Sequence, residues 1–485
     1  VIANNIMFTT VIASSTLRRQ AIAACSIGPR VKILSVSASA TYYSPSKFHQ
    51  QDPTRSFAAN TVHKFDVTPE HIDTVKATLP LVGKAGTAFT KHFYARMFAA
   101  HPDLQNVFNQ TNQTLGGQPK KLLKTVAVAA QMAIDTGELP GEAIEGICQK
   151  HCALGVTEEA YGVVGAHLLG TIEDLLTDDK AVLEAWGALY GNIAGVFVKR
   201  EGEIADEAAS YQGSWTGRRT FDLVDKEKLS SLITRFKFAP ADGKPTPTFA
   251  PGAYTTIWAQ VDEEGPYGRY TEQPRHYTLA MPRDGHANGH LSISVKKEGL
   301  VSRILHKAEL GSQWDLSAPY GCFTMSGVEK MWLDEVDAPV VFLSGGVGIT
   351  PVLAMLENIY TTRPATWLHA TKNGDLHAYR DRLRNIAAVR AGELKRRVWY
   401  EEPLLEDGSP GGDEKDPHLY NVAKYHYKGF MDLTNPELVE DEEVLHLDNP
   451  TTNYFMCGPK LFMDAQRENL IKLGVSSDRI HWEGF

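Results

Sequence analysis

The chain has 485 residues, of which 43% are hydrophobic and 22% charged, with a net charge of −9; this is an ordinary composition for a globular protein, and the length allows about three domains. There is no basic field to recommend a nucleic-acid partner, and no apolar run reaches the roughly eighteen residues of a spanning helix, so no stable membrane contact is expected. The five cysteines, Cys25, Cys148, Cys152, Cys322 and Cys457, form no C-x-x-C pair, which points to a reducing compartment and to buried, packing thiols.

Residues 1–60 carry Arg18, Arg19, Arg30, Lys32, Lys47 and Arg55 against a single acid, Asp52, and are rich in Ser, Thr and Ala. A basic, hydroxyl-rich, acid-poor leader has the composition of a mitochondrial transit peptide, so the matrix is the expected location. A disordered extension on a cytoplasmic protein is the alternative.

From Pro69-Glu70 the pattern is helical: Ile72, Val75, Leu79 and Val82 recur at helical spacing, then Phe89, Phe93, Met97 and Phe98. Further helices are predicted over 117–135, 141–153, 157–177 and 180–208, giving an all-helical domain over 66–210. After about 210 the segments TFDLVDKEK, LITRFKFAP, YTTIWAQV, RHYTLAMP and HLSISVKKE are short, alternating and broken by Pro, Gly and Asp, which predicts a small antiparallel barrel over 215–332. From 335 to 485 strand and helix alternate. There Val340–Ser344 is a buried strand, Gly345-Gly346-Val347-Gly348 a turn, and Ile349-Thr350-Pro351 the opening of a helix whose N-terminus suits a pyrophosphate. Residues 404–428, rich in Gly, Asp and Pro, are predicted to be a surface loop insertion.

Five strings in the helical part, FTKHFYARMF, VFNQTNQ, QKH, AYGVVGAHLLGTI and EAWGALYGNIAGVFVKREGEI, resemble the haem domain of the flavohaemoglobins. The resemblance implies an all-α globin in which His151 ligates the iron of haem b, Tyr94 and Gln118 face bound oxygen, and Phe108 and Leu122 contact the haem. Tyr161 and Glu201 match the pair that contacts the proximal histidine. A carboxylate accepting the imidazole N–H lends the ligand imidazolate character and favours oxygen chemistry over storage. Lys150, beside the ligand, is a candidate for a haem propionate contact or for tuning the haem potential.

In the barrel, Arg275-His276-Tyr277-Thr278 resembles the R-x-Y-[ST] signature of the ferredoxin reductase family, and Gly299-Leu300-Val301-Ser302 its second, G-x-x-S. The resemblance implies FAD, with Arg275 on the pyrophosphate, Tyr277 on the ribityl side, Thr278 at the flavin edge and the helix after Gly299 receiving phosphate. Tyr254, in PGAY, matches the tyrosine of the family's PGQY; Ala253 stands where glutamine is usual. The third part resembles the family's α/β nicotinamide domain, through the Gly345–Pro351 loop, WLHATKNGDLHAY after the next strand, Cys457-Gly458-Pro459 and a terminal Glu483-Gly484-Phe485. The last of these is implied to lie over the flavin, with Phe485 stacking on it and Glu483 tuning its potential.

Nicotinamide gives two electrons together, haem iron takes one at a time, and a flavin can do both, so it belongs between them. The family resemblance implies nitric oxide dioxygenase activity: NAD(P)H reduces FAD, FAD reduces haem, and oxygen on the ferrous haem converts NO to nitrate, one NAD(P)H supporting two turnovers. NO, O2 and NAD(P)H are then the partners, and the electron path needs no second chain, so a monomer is expected. A haem-based oxygen or redox sensor, and a general NAD(P)H-dependent haem or ferric reductase, are the alternative readings. NADH against NADPH is left open, with Lys372 a candidate for reaching a 2′-phosphate.

Overall fold

The computed structural model describes residues 62–109, 117–280, 289–325, 338–359, 363–390, 393–411 and 423–484, with backbone alone over 117–124 and at 389. The leader and its expected targeting role lie outside the described residues, as do Phe485 and the side chains of Gln118 and Leu122.

The N-terminal part is built on helices α1 (Pro69–Ala100), α2 (Gly117–Asp135), α3 (Gly141–Leu154), α4 (Glu158–Leu175) and α5 (Lys180–Ser210), preceded by a short strand β1 (Val62–Lys64) that pairs with β2 (Glu138–Pro140). Thr68 caps α1, its hydroxyl accepting from the His71 N–H at 3.2 Å, with Pro69 in the first turn, where its missing N–H costs nothing. The helix is two helices end to end: Gly86 takes φ 50° and ψ −116°, which breaks the run between the two apolar clusters. The Trp186 indole N–H donates to Thr78 at 2.9 Å, tying α5 to the first half of α1.

By length and composition α5 is the one helix among the described residues apolar enough to cross a membrane, a feature the strict count of apolar runs passes over. In the fold its apolar residues Ala185, Trp186, Leu189, Ile193 and Phe197 lie in the helical core beside Val75, Phe93 and Leu168.

The middle part is a six-stranded antiparallel sheet: β3 (Arg218–Lys228), β4 (Ile233–Pro240), β5 (Tyr254–Gly265), β6 (Gly268–Thr278), β7 (Leu291–Lys296) and β8 (Gln313–Ser317), in the order β6-β5-β8-β3-β4-β7. A bridge between Leu279 and Ile293 joins the end of β6 to β7 and closes the sheet into a barrel. Helix α6 (Leu300–Lys307) packs against it through Val301 and Leu305, which join Phe221, Phe236 and Ile257 in the barrel core.

The last part is a parallel sheet of β9 (Val340–Gly345), β10 (Ala365–Thr371), β11 (Leu394–Tyr400), β12 (Tyr427–Lys428), β13 (Asn453–Gly458) and β14 (Ile480–Gly484), ordered β12-β11-β10-β9-β13-β14. Helices α7 (Ile349–Leu356), α8 (Arg380–Val389), α9 (Pro436–Val439), α10 (Glu442–Leu445) and α11 (Lys460–Lys472) accompany it. The strand order runs outward from β9 through β10, β11 and β12, then resumes on its other side with β13. The carboxyl ends of β9 and β13 therefore flank the point where such sheets open a ligand crevice.

Two sequence expectations change. The segment 404–428 is not wholly a surface loop: β12 pairs with β11, and the Tyr425 ring stacks on Tyr400 at 4.6 Å, so two buried rings override the turn-rich composition around them. The WLHATKNGDLHAY string begins inside β10 rather than after it. The Glu483-Gly484 end is an edge strand, with Glu483 opposite Cys457 and Gly484 opposite Gly458.

Candidate functional site

His151 stands near the end of α3, three residues before Leu154 and the left-handed cap Gly155 (φ 73°). Its Nδ1 lies 2.8 Å from Glu201 Oε1 and 2.8 Å from the Tyr161 hydroxyl, which itself donates to Glu201 Oε1 at 2.5 Å. Three helices supply this group: α3 the imidazole, α4 the phenol, α5 the carboxylate. Glu201 is buried, so it is not a solvated helix charge. A buried carboxylate persists where donors satisfy it, and here the imidazole N–H and the phenol do so. Burial, then the hydrogen bond to Glu201, raise the Tyr161 phenol well above its ordinary value, so it stays a proton donor. With Nδ1 engaged, the ring's remaining ligating atom is Nε2. The same buried acid, after burial itself, pushes the Cys152 thiol up to about 12, consistent with a packing thiol.

Within the helical core Tyr94 is buried among Phe93, Phe98 and Phe108, with ring centroids 5.0, 5.5 and 5.6 Å away. The structure therefore brings Tyr94 and Phe108 together; Gln118 and Leu122, expected beside them, carry no described side chains.

The helix that carries His151 docks on the barrel. Gln149 Oε1 accepts from the Gly321 N–H at 3.0 Å, and a methyl added at Gly146 would meet Cys322 Sγ at 3.7 Å. Behind this contact lie Tyr254 and His276, ring centroids 5.1 Å apart. The Tyr254 phenol is buried, and its hydroxyl has no hydrogen-bond partner among the described residues. A buried hydroxyl without a partner costs about 1–3 kcal/mol, so this one is set to meet a polar ligand group. His276 hydrogen-bonds Thr256 Oγ1 at 2.8 Å, and burial holds its ring down to about 3, with Lys150 the next cause; it is a neutral ring. Lys150 also acts on Glu483, whose carboxyl burial pushes up and the lysine draws down. Arg275, Tyr277 and Thr278 share β6 with His276. Arg275 reaches across to the helical part, its Nη2 donating to Asn109 Oδ1 at 2.8 Å.

Ser302 does not point its hydroxyl outward. It accepts from the N–H groups of Glu298 and Gly299 at 2.9 and 2.8 Å and donates to the Gly299 carbonyl at 3.0 Å. Its place in the G-x-x-S string is thus to fix the start of α6. A cleft of about 530 Å³ runs along that helix, with Leu300, Arg303 and Lys307 on one side and Gln260, Asp262 and Glu263 on the other.

At the switch point the two loops are pressed together. A methyl at Gly348 would sit 2.2 Å from the Cys457 carbonyl oxygen, and one at Gly458 would meet Phe462 at 2.8 Å and the Gly345 Cα at 3.1 Å. These glycines serve backbone-to-backbone contact. Gly346, at φ 54° with nothing within 4 Å of an added methyl, is the position where the loop lies open. Val347 is half-buried, Ile349, Thr350 and Pro351 are buried in the first turn of α7, and Thr350 donates to the Val347 carbonyl at 3.1 Å. Burial raises the Cys457 thiol well above its ordinary value; Pro459 caps α11. Lys372 is exposed and pairs with Glu402 at 3.1 Å.

Sequence reasoning missed Gln149, Asn109, Gln273 and Tyr267, all at the contact between the helical part and the barrel. Each is an ordinary polar or turn residue in its own segment, and only the docking gives it a role.

The fold and these sites define a three-module oxidoreductase in which a globin, a flavin barrel and a nicotinamide lobe lie on one chain. The globin family model matches residues 91–197, the oxidoreductase FAD-binding domain 220–325 and the oxidoreductase NAD-binding domain 342–468. The chain is 37% identical over 436 residues to a flavohemoprotein of Bordetella pertussis, covering 86% of this chain and 98% of that one. It is 36% identical over 433 residues to one of Rhizobium meliloti, with the same coverage. A crystal structure of flavohemoglobin from Malassezia yamatoensis with bound FAD and heme shares the fold, with TM-score 0.71 and 24% identity over 86% of this chain and 99% of that one. The chain belongs to the flavohaemoprotein family.

Proposed function

We propose that the protein is an NAD(P)H- and O2-dependent nitric oxide dioxygenase that uses haem b and FAD. The observation that carries this is the Glu201–Tyr161 pair bonded to His151 Nδ1. The chemistry supplied by the bound cofactors is hydride acceptance and one-electron delivery at the flavin, and the reaction of oxygen with nitric oxide at the haem.

The chain's own residues do the rest. Glu201 accepts the His151 Nδ1–H, which fixes the tautomer and presents Nε2 to iron; the carboxylate makes that nitrogen a stronger donor. Tyr94 and Phe108 line the face opposite, where the phenol hydroxyl is a donor for a partially charged oxygen atom. Tyr254, His276, Tyr277 and Thr278 offer the flavin a buried surface with a hydroxyl to satisfy, and the Gly321–Gln149 contact sets that surface against the His151 helix. Gly346 and Cys457-Gly458 form the cradle for nicotinamide at the β9/β13 crevice. Each module lies on the same chain, which we read as acting as a monomer.

The test is NO removal by the holoenzyme in air, supplied with NADH or NADPH in parallel. His151→Ala is expected to abolish NO removal while NAD(P)H-dependent cytochrome c reduction continues. NO removal that survives this substitution overturns the reading, and the relative rates with the two nicotinamides settle the preference.

A further inference from the structure

The barrel strand that carries Arg275-His276-Tyr277-Thr278 also grips the segment that carries Phe108. Asn106 Oδ1 accepts from the backbone N–H groups of Thr271 and Glu272 at 2.9 and 3.1 Å. The Gln273 amide donates to the carbonyls of Gln105 and Phe108 at 3.3 and 3.1 Å. At the far end of the same strand β5 turns into β6 through Pro266 and Tyr267, closed by the Gly265–Gly268 pair. Gly268 takes φ 123°, and a side chain there would meet the Gln105 amide at 3.3 Å. A turn tip normally carries its side chains into water. Pro266 does so, but Tyr267 is half-buried and packs on the globin core. Its ring centroid lies 5.3 Å from Phe98 and 6.5 Å from Tyr94.

The aromatic cluster around Tyr94 therefore has one member that the globin does not own. We propose that Tyr267 is the outer wall of the gas pocket, a positioning residue lent by the flavin barrel that orients the Tyr94 ring and narrows the path by which a diatomic ligand reaches the haem. This rests on the proposed function only in taking the Tyr94 face as the ligand side. The β5–β6 hairpin then carries the flavin signature on β6 and the pocket wall at its turn, so the docked barrel sets the access of gas as well as of electrons.

The test uses the full-length holoenzyme, reduced, with carbon monoxide as the probe. Tyr267→Ala is expected to raise CO association after flash photolysis several-fold and to broaden or shift the infrared C–O stretch by releasing the Tyr94 ring. Tyr267→Trp is expected to slow association, and Tyr267→Phe to keep both readouts close to those of the parent chain, since ring packing is what acts. NADH–ferricyanide reduction should stay unchanged in all three. Unchanged CO association and C–O stretch in both the Ala and Trp variants overturn the proposal while leaving the dioxygenase reading intact. A parent chain that shows no CO complex overturns that reading instead.

Discussion

Two residues behind His151, Tyr161 and Glu201, carry the proposed chemistry. Glu201→Gln keeps the shape of the acceptor but removes the charge that strengthens the imidazole, so NO turnover should fall about 10–100-fold, the usual cost of losing such an outer partner. The haem midpoint potential should rise at the same time, because ferric iron loses a compensating charge, while cytochrome c reduction holds. An unchanged potential in a variant that still binds haem would sink the argument. Away from the cofactors, His369 is fully buried, bonded to Ser344 at 2.8 Å and 4.7 Å from the His377 ring. Burial holds its pKa down to about 3, against 6.5 in the unfolded chain. Between those values the unfolded chain binds the proton and the folded one does not. Stability is therefore complete above about pH 6.5 and falls toward pH 3 by about 1.4 kcal/mol per pH unit. His369→Gln should lower the reductase melting temperature at pH 7 yet flatten its decline between pH 6.5 and 4.5; parallel curves for the two chains would refute this. Neither Glu201 nor His369 shows its role in local pattern. Glu201 is 50 residues from His151 and sits in a charged helical string, where only the family resemblance singles it out.

Elements were legible where local chemistry and periodicity agree. Thr68, Pro69 and the left-handed Gly155 bound their helices with side-chain and backbone caps, and the wholly buried β9 reads as a continuous apolar run. Elements that exist through long-range contact were not legible: β12 has two residues and leans on β11, and β14 reads as a tail until its pairing with β13 is seen. The glycine loop shows the same division. The sequence reads the loop as a turn before a helix N-terminus that suits a pyrophosphate; the structure adds that Gly345 and Gly348, with Gly458, are needed where two strand ends meet. Gly348→Ala would drive a methyl into the Cys457 carbonyl, which cannot move without shifting β13. We expect a loss of about 1–3 kcal/mol or more in the reductase lobe and a collapse of NADH–ferricyanide activity, with the globin spectrum untouched. Gly346→Ala, strained only by its φ of 54°, should cost about 1–2 kcal/mol and leave the fold intact. Equal effects at the two positions would show that the crowding at Gly348 is not what constrains the loop.

At the scale of the molecule, the proposed electron path crosses the contact between globin and barrel. Interfaces between domains of one chain separate readily unless they are large and apolar; here Tyr254, Ala318, Tyr320 and Tyr267 pack on the helical core, and Gln149 to Gly321, Arg275 to Asn109, and Asn106 and Gln273 along β6 add polar bonds. Asn106 matters most, because away from the Leu279–Ile293 bridge β6 pairs with β5 alone, and an uncovered stretch of strand edge leaves N–H groups to water or to another chain. Asn106→Ala removes the acceptor for two of them, at a cost of about 1–3 kcal/mol. If the docked arrangement is the one that passes electrons, its share of the population should drop by about tenfold for each 1.4 kcal/mol lost once undocking competes. The reductase half is untouched by this substitution, so NADH–ferricyanide turnover should match the parent chain. Stopped-flow reduction of the haem by NADH should slow by several-fold, with NO removal falling in step and added viscogen slowing it further, because redocking is then limiting. Haem reduction at the parent rate in Asn106→Ala, or a fall in ferricyanide turnover of the same size, would show that the contact along β6 does not govern the transfer.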